Sequence, residues 1–185
     1  MDREPAEIVE DLEALARAAG RVVVDHELVD MPAQIGEGAR PVTTSEIEAS
    51  PLKDWYAHDK AGYFLTLPGW LGDGGYRTPG YLGGSARPAR PLPITGVVQG
   101  QTLTQFDLTD AQYDSLIRLT ATLCGVFPEI RCDYPRDAAG RLIDRTLTPD
   151  QFGAYRGILG HYHIQDNKVD PGPAFDWDRV ISGAR

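Results

Sequence analysis

The segment that most limits what this chain can fold into lies near its C-terminus. There GILGHYHIQDNKVDPGPAFDW sets His161, Lys168 and Asp170 within ten residues, beside the turn signal Pro171-Gly172. A strand-like apolar run leads into His161, so an imidazole, an ammonium and a carboxylate are delivered to one end of one element. An imidazole nitrogen and a carboxylate oxygen both bind zinc at roughly 2.0–2.2 Å, and a catalytic zinc typically keeps three protein ligands and leaves the fourth position to water. His161 and Asp170 supply two of three. Lys168 stands two residues before Asp170; in an extended segment both side chains leave the same face, and the ammonium can stabilise charge developing on a carbonyl oxygen under attack. The plainer alternatives are a packed or surface histidine and an aspartate that caps its own Pro-Gly turn.

The complete string resembles the C-terminal signature of the zinc-dependent N-acetylmuramoyl-L-alanine amidases of the second type, the family that also holds phage amidases and peptidoglycan recognition proteins. The residues that carry the resemblance are Gly160, His161, Lys168, Asp170, Pro171, Gly172, Phe175, Asp176 and Trp177. It implies that His161 and Asp170 are zinc ligands and that Lys168 polarises the substrate carbonyl. Phe175, Asp176 and Trp177 are expected to be structural, with Asp176 capping the final helix and the aromatics packing the chain terminus. Two departures stand out. The loop from His161 to Lys168 is about one residue short and lacks the family's proline, and His163 occupies a place where Asp is common, either as a supporting group or with no role.

Upstream, Tyr113, Leu116, Ile117, Thr120, Leu123, Cys124 and Phe127 recur at helical spacing, which predicts a long helix with one core face. Thr109 followed by Gln112 reads as its capping box, and Thr148, Pro149 and Gln151 repeat that logic for a short second helix. Residues 51–104 are rich in Gly, Pro and aromatics with little periodicity and read as one long loop. Its Trp55, Tyr63, Phe64, Trp70, Tyr76 and Tyr81 either stack on sugar rings or pack on a core of their own. Arg87 and Arg90, with Arg77, are candidates to pair with stem-peptide carboxylates.

The first fifty residues fit the family least. EPAEIVEDLEALARAAG reads as an amphipathic helix ended by Gly20, and RVVVDHELVDM as a buried strand. The family's first histidine ligand ends such a strand, which makes His26 a candidate third ligand, with Glu46 or Glu48 as the general base. His58 is another candidate ligand. The remaining alternative is an altered front half and an incomplete zinc site.

The net charge of −9 has the wrong sign for a phosphate-tracking surface, so nucleic acid is not an expected partner. No apolar run approaches the roughly 20 residues of a membrane span, no secretion signal is visible at the start, and a cytoplasmic location is expected. Cys124 and Cys132 are too few for a disulfide framework. The expectation is an α/β fold of the amidase type, with a central mixed sheet flanked by helices, an atypical segment at 1–50 and an amidase-like region at 51–185. The expected cofactor is zinc, the expected partner peptidoglycan or a muropeptide, and the expected reaction hydrolysis of the amide between N-acetylmuramic acid and L-alanine. The alternatives are a non-catalytic peptidoglycan-binding module and an inactive, truncated remnant.

Overall fold

The computed structural model describes residues 22–24, 49, 51–66 and 86–185. In chain order the elements are β1 (Val22–Val24), β2 (Tyr56–Asp59), β3 (Gly62–Leu65), β4 (Ile94–Val98), β5 (Gln101–Gln105), α1 (Asp110–Val126), α2 (Pro149–Ala154), β6 (Ile158–Gly160) and α3 (Trp177–Ala184), with short 3-10 turns at Pro51–Asp54 and His161–His163. The fold is mixed α/β, as the sequence indicates. Its described strands pair two by two: β1 with β6 in parallel, β2 with β3 and β4 with β5 antiparallel. The chain divides into two compact units, Met1–His26 with Asp114–Pro171 and Asp176–Arg185, and Glu27–Tyr113 with Gly172–Phe175. Among the described residues no helix is long and apolar enough to cross a membrane.

In the first unit, β6 is the buried strand, with Ile158 and Leu159 almost fully enclosed. Leu159 packs with Ile143 and Leu147, and Phe152, Tyr155 and Ile164 close around them. The short helix α2 exists because its first turn is capped twice over. Thr148 Oγ1 accepts the Gln151 amide at 3.3 Å, and Gln151 Oε1 accepts the Thr148 amide at 3.0 Å, while Pro149 gives up a backbone donor that would have had no partner. The predicted face of α1 is the inward one: Tyr113 and Thr120 are buried and Leu116, Ile117, Leu123, Cys124 and Phe127 half-buried, whereas Leu119 and Val126 face out. Its cap is the Thr109–Gln112 pair, at 2.8 and 3.2 Å.

Helix α3 begins as predicted, with Asp176 Oδ1 accepting the Arg179 amide at 2.9 Å. Trp177, Val180 and Ile181 bury its inner face. Its outer start is fastened by Arg136, which lies 3.7 Å over the Tyr134 ring and donates to Asp178 Oδ1 at 2.8 Å. The Tyr134 hydroxyl donates to the same oxygen at 2.8 Å; burial, and then this bond, push that phenol up to about 12.

The second unit corrects one sequence expectation. Residues 51–104 are not one long loop, because two β-hairpins form within them. The first is closed by Asp59 Oδ1, which accepts the Ala61 amide at 2.8 Å, and by Gly62 at φ +110°. The second turns through Gln99 and Gly100, both in the left-handed region, the geometry that suits a two-residue hairpin loop. Tyr56, Tyr63 and Phe106 form a cluster on which Trp55 and Leu65 pack. Of the described aromatics, Trp55 and Tyr63 therefore belong to a local core and Phe64 lies half-buried with Arg87 5.1 Å over its ring, while Trp70, Tyr76, Tyr81 and Arg77 lie outside the described residues. The arginines are also committed within the chain. Arg87 donates to Asp59 Oδ2 at 2.5 Å and Arg90 Nε to Asp107 Oδ2 at 2.6 Å. Asp107 is enclosed and also accepts the Tyr113 hydroxyl at 2.6 Å, and Tyr113 and Arg90 both donate to the Ala174 carbonyl. A buried carboxylate needs such a full set of donors to offset its desolvation.

Candidate active site

The site is assembled where β6 ends. Gly160 is its last residue, and the chain turns at once into the 3-10 turn His161–His163. A side chain at Gly160 does not fit, since a Cβ there would stand 2.7 Å from Pro171 Cδ, 3.2 Å from Tyr162 and 3.3 Å from Trp177. Glycine at this position lets the Asp170-Pro171 segment lie directly against the strand end. The two segments are also bonded: the Tyr162 amide donates to the Asp170 carbonyl at 3.3 Å.

With the backbones tied, the side chains meet. His161 Nδ1 lies 3.1 Å from Asp170 Oδ2, and His161 Nε2 lies 2.8 Å from Gln165 Oε1. The imidazole is 16% and the carboxylate 27% exposed, so both are sheltered yet reachable. Lys168 is half-buried in the same loop, its amide donating to the Gln165 carbonyl at 3.3 Å. Lys168 and Val169 have no regular structure and Asp170 begins a turn, so the same-face alternation of an extended segment does not describe them.

His163 has a different fate from His161. It is fully buried; Nδ1 accepts the Gly160 amide at 2.8 Å, and Nε2 faces the Ile143 carbonyl at 2.7 Å. Since an amide can only donate, Nδ1 holds the lone pair and Nε2 the proton. Burial pushes this imidazole down to about 4, so it stays neutral. Both nitrogens are used by the backbone, which makes His163 an anchor of the turn and leaves it no lone pair for a metal. Its ring stands edge-on to Trp177 at 5.7 Å.

His58 is an exposed residue of β2 in the second unit, its ring edge 4.8 Å from Tyr63. His26, Glu46, Glu48 and the predicted N-terminal helix lie outside the described residues. Of the predicted N-terminal strand, Val22–Val24 is β1, in parallel register with β6: Val22 beside Ile158, Val23 beside Leu159 and Val24 beside Gly160. Among the described residues no group of three His, Cys, Asp or Glu side chains is placed to hold a metal. The His161–Asp170 pair alone does fit part of a zinc shell. Two ligands of a tetrahedral zinc lie roughly 3.3–3.5 Å apart, so the pair would open by only roughly 0.2–0.4 Å.

Sequence reasoning named His161, Lys168 and Asp170 but missed Gln165 and the packing role of Gly160. The signal for Gln165 was its i,i+4 spacing from His161, which has meaning only once a helical turn is known to start there.

The site is thus a histidine–carboxylate pair at a strand end in a mixed α/β protein. Over 72 residues the chain is 36% identical to the 1,6-anhydro-N-acetylmuramyl-L-alanine amidase AmpD of Enterobacter cloacae, a stretch covering 38% of this chain. It spans about a quarter, 26%, of that relative. No protein-family model and no solved structure matches the chain.

Proposed function

We propose that this chain is a zinc-dependent amidase that hydrolyses the bond between N-acetylmuramic acid and L-alanine in peptidoglycan or its fragments. The observation that carries the proposal is the 3.1 Å approach of His161 Nδ1 to Asp170 Oδ2 at the end of β6. Similarity to an amidase over 72 residues supports it. His161 and Asp170 would hold the ion. His26 is the proposed third ligand, and the β1–β6 register favours it: Val24 lies beside Gly160, one residue before His161.

When bound, zinc supplies a Lewis acid that polarises the amide carbonyl and makes water nucleophilic at neutral pH. The chain's own residues do the rest. Lys168 places an ammonium in the loop that carries Asp170, where it offsets negative charge growing on the amide oxygen. Glu46 or Glu48 is the proposed base that takes the proton from water. His163, Gly160 and the Tyr162–Asp170 backbone bond keep the two ligand segments in register, so that the ligand pair is preorganised.

The test is cleavage of a purified muropeptide by the zinc-supplemented protein, followed by chromatography of the released peptide. Release of an L-alanyl peptide that stops with a chelator and returns with zinc is the expected result. Retention of peptidoglycan without any cleavage would instead make the chain a binding module.

A further inference from the structure

We infer that Gln165 is a positioning residue for His161: its carboxamide oxygen accepts the Nε2 proton when the Nδ1 lone pair is given to the ion that His161 and Asp170 would bind. This rests on the zinc-amidase reading above. The turn that begins at His161 makes the contact, because the Ile164 and Gln165 amides both donate to the His161 carbonyl, at 2.9 and 3.1 Å. That winding sets Gln165 one helical turn beyond His161, with Oε1 2.8 Å from Nε2. The Gln165 carbonyl in turn accepts the Lys168 amide, which holds the backbone on the other side.

A neutral imidazole has one donor nitrogen and one acceptor, and a carboxamide oxygen only accepts. When Nδ1 gives its lone pair to an ion, Nε2 holds the proton, and the Gln165 oxygen stands where it can accept it. Without an ion the Asp170 carboxylate competes for the ring proton at Nδ1, 3.1 Å away, so the contact to Gln165 acts when zinc lies between His161 and Asp170. Histidines that bind metals generally give their other N–H to an acceptor, which fixes the tautomer and the ring plane, and losing that acceptor costs roughly 10–100-fold in metal affinity. Gln165 stands within the shortened loop, where this chain departs from the amidase pattern, so the contact belongs to this loop's own winding. Gln165 is exposed and outside the packed core, so its replacement leaves the fold standing.

The experiment uses the full chain, isotope-labelled, and two variants, Gln165→Leu and Gln165→Glu. Long-range proton–nitrogen NMR reads the His161 tautomer in the zinc-loaded protein, and calorimetry with zinc alone reads affinity. The wild type is expected to carry the proton on Nε2. Gln165→Leu should bind zinc roughly 10–100-fold more weakly, whereas Gln165→Glu, which keeps an acceptor, should retain the wild-type affinity. A zinc-loaded wild type protonated on Nδ1, or equal zinc affinity in wild type and Gln165→Leu, overturns the inference alone. A wild type that binds no zinc overturns the amidase reading and this inference with it.

Discussion

The Gly160 amide and His163 Nδ1 are joined at 2.8 Å, so a buried imidazole closes the turn at the point where β6 hands the chain to His161. The same ring reaches Ile143 through Nε2, fastening that turn to a second segment of the first unit. The site therefore hangs on a histidine that performs no chemistry.

His163 makes stability depend on pH in a defined window. An unfolded histidine titrates near 6.5 and the folded one near about 4, so between these values the unfolded chain binds the extra proton. This contribution is fully present above about pH 6.5, is lost as pH falls toward 4, and amounts to roughly 3 kcal/mol. Urea midpoints at pH 7 and pH 4.5 for wild type and His163→Phe check it. The variant should be less stable at pH 7, because the Gly160 amide and Ile143 carbonyl lose their partner at about 1–3 kcal/mol each. It should also lose less between the two pH values. Equal losses in the two proteins would contradict the assignment.

Gly160→Ala should destabilise the protein by about 1–3 kcal/mol, since the added methyl meets Pro171, Tyr162 and Trp177 and the core must shift. It should also weaken zinc binding, because the displaced Pro171 follows Asp170 directly. Thermal melting and zinc calorimetry read the two effects. A variant as stable as wild type would show that the close packing is not needed.

Lys168 separates enzyme from binding module. Lys168→Ala should lower the turnover number on muropeptide by roughly 100–1000-fold, the usual effect of removing one group that stabilises the oxyanion, with little change in KM. Undiminished turnover would remove Lys168 from the mechanism.

What was legible in the sequence is mostly local. The Thr148–Gln151 and Thr109–Gln112 boxes, the Asp176 cap and the inward face of α1 each depend on residues within a turn or two of one another. The approach of His161 to Asp170 was expected from a string, yet it is made by the bond from Tyr162 to the Asp170 carbonyl and by an absent side chain at Gly160. The two hairpins escaped notice because Lys60-Ala61 and Gln99-Gly100 are not the Asn-Gly or Asp-Gly pairs that announce tight turns, and their strands are only four or five residues long. The role of His163 was illegible because its partner Ile143 stands 20 residues earlier. The same holds for Arg90, whose burial partner Asp107 is 17 residues away.

The central claim is that His161 and Asp170 bind one zinc ion together, and zinc stoichiometry of the purified protein tests it most directly. Wild type incubated with zinc at neutral pH and then desalted should retain about one equivalent, while His161→Ala and Asp170→Asn should each retain almost none, since a catalytic site keeps only three protein ligands. Wild type without bound zinc, or variants that hold as much as wild type, would contradict it.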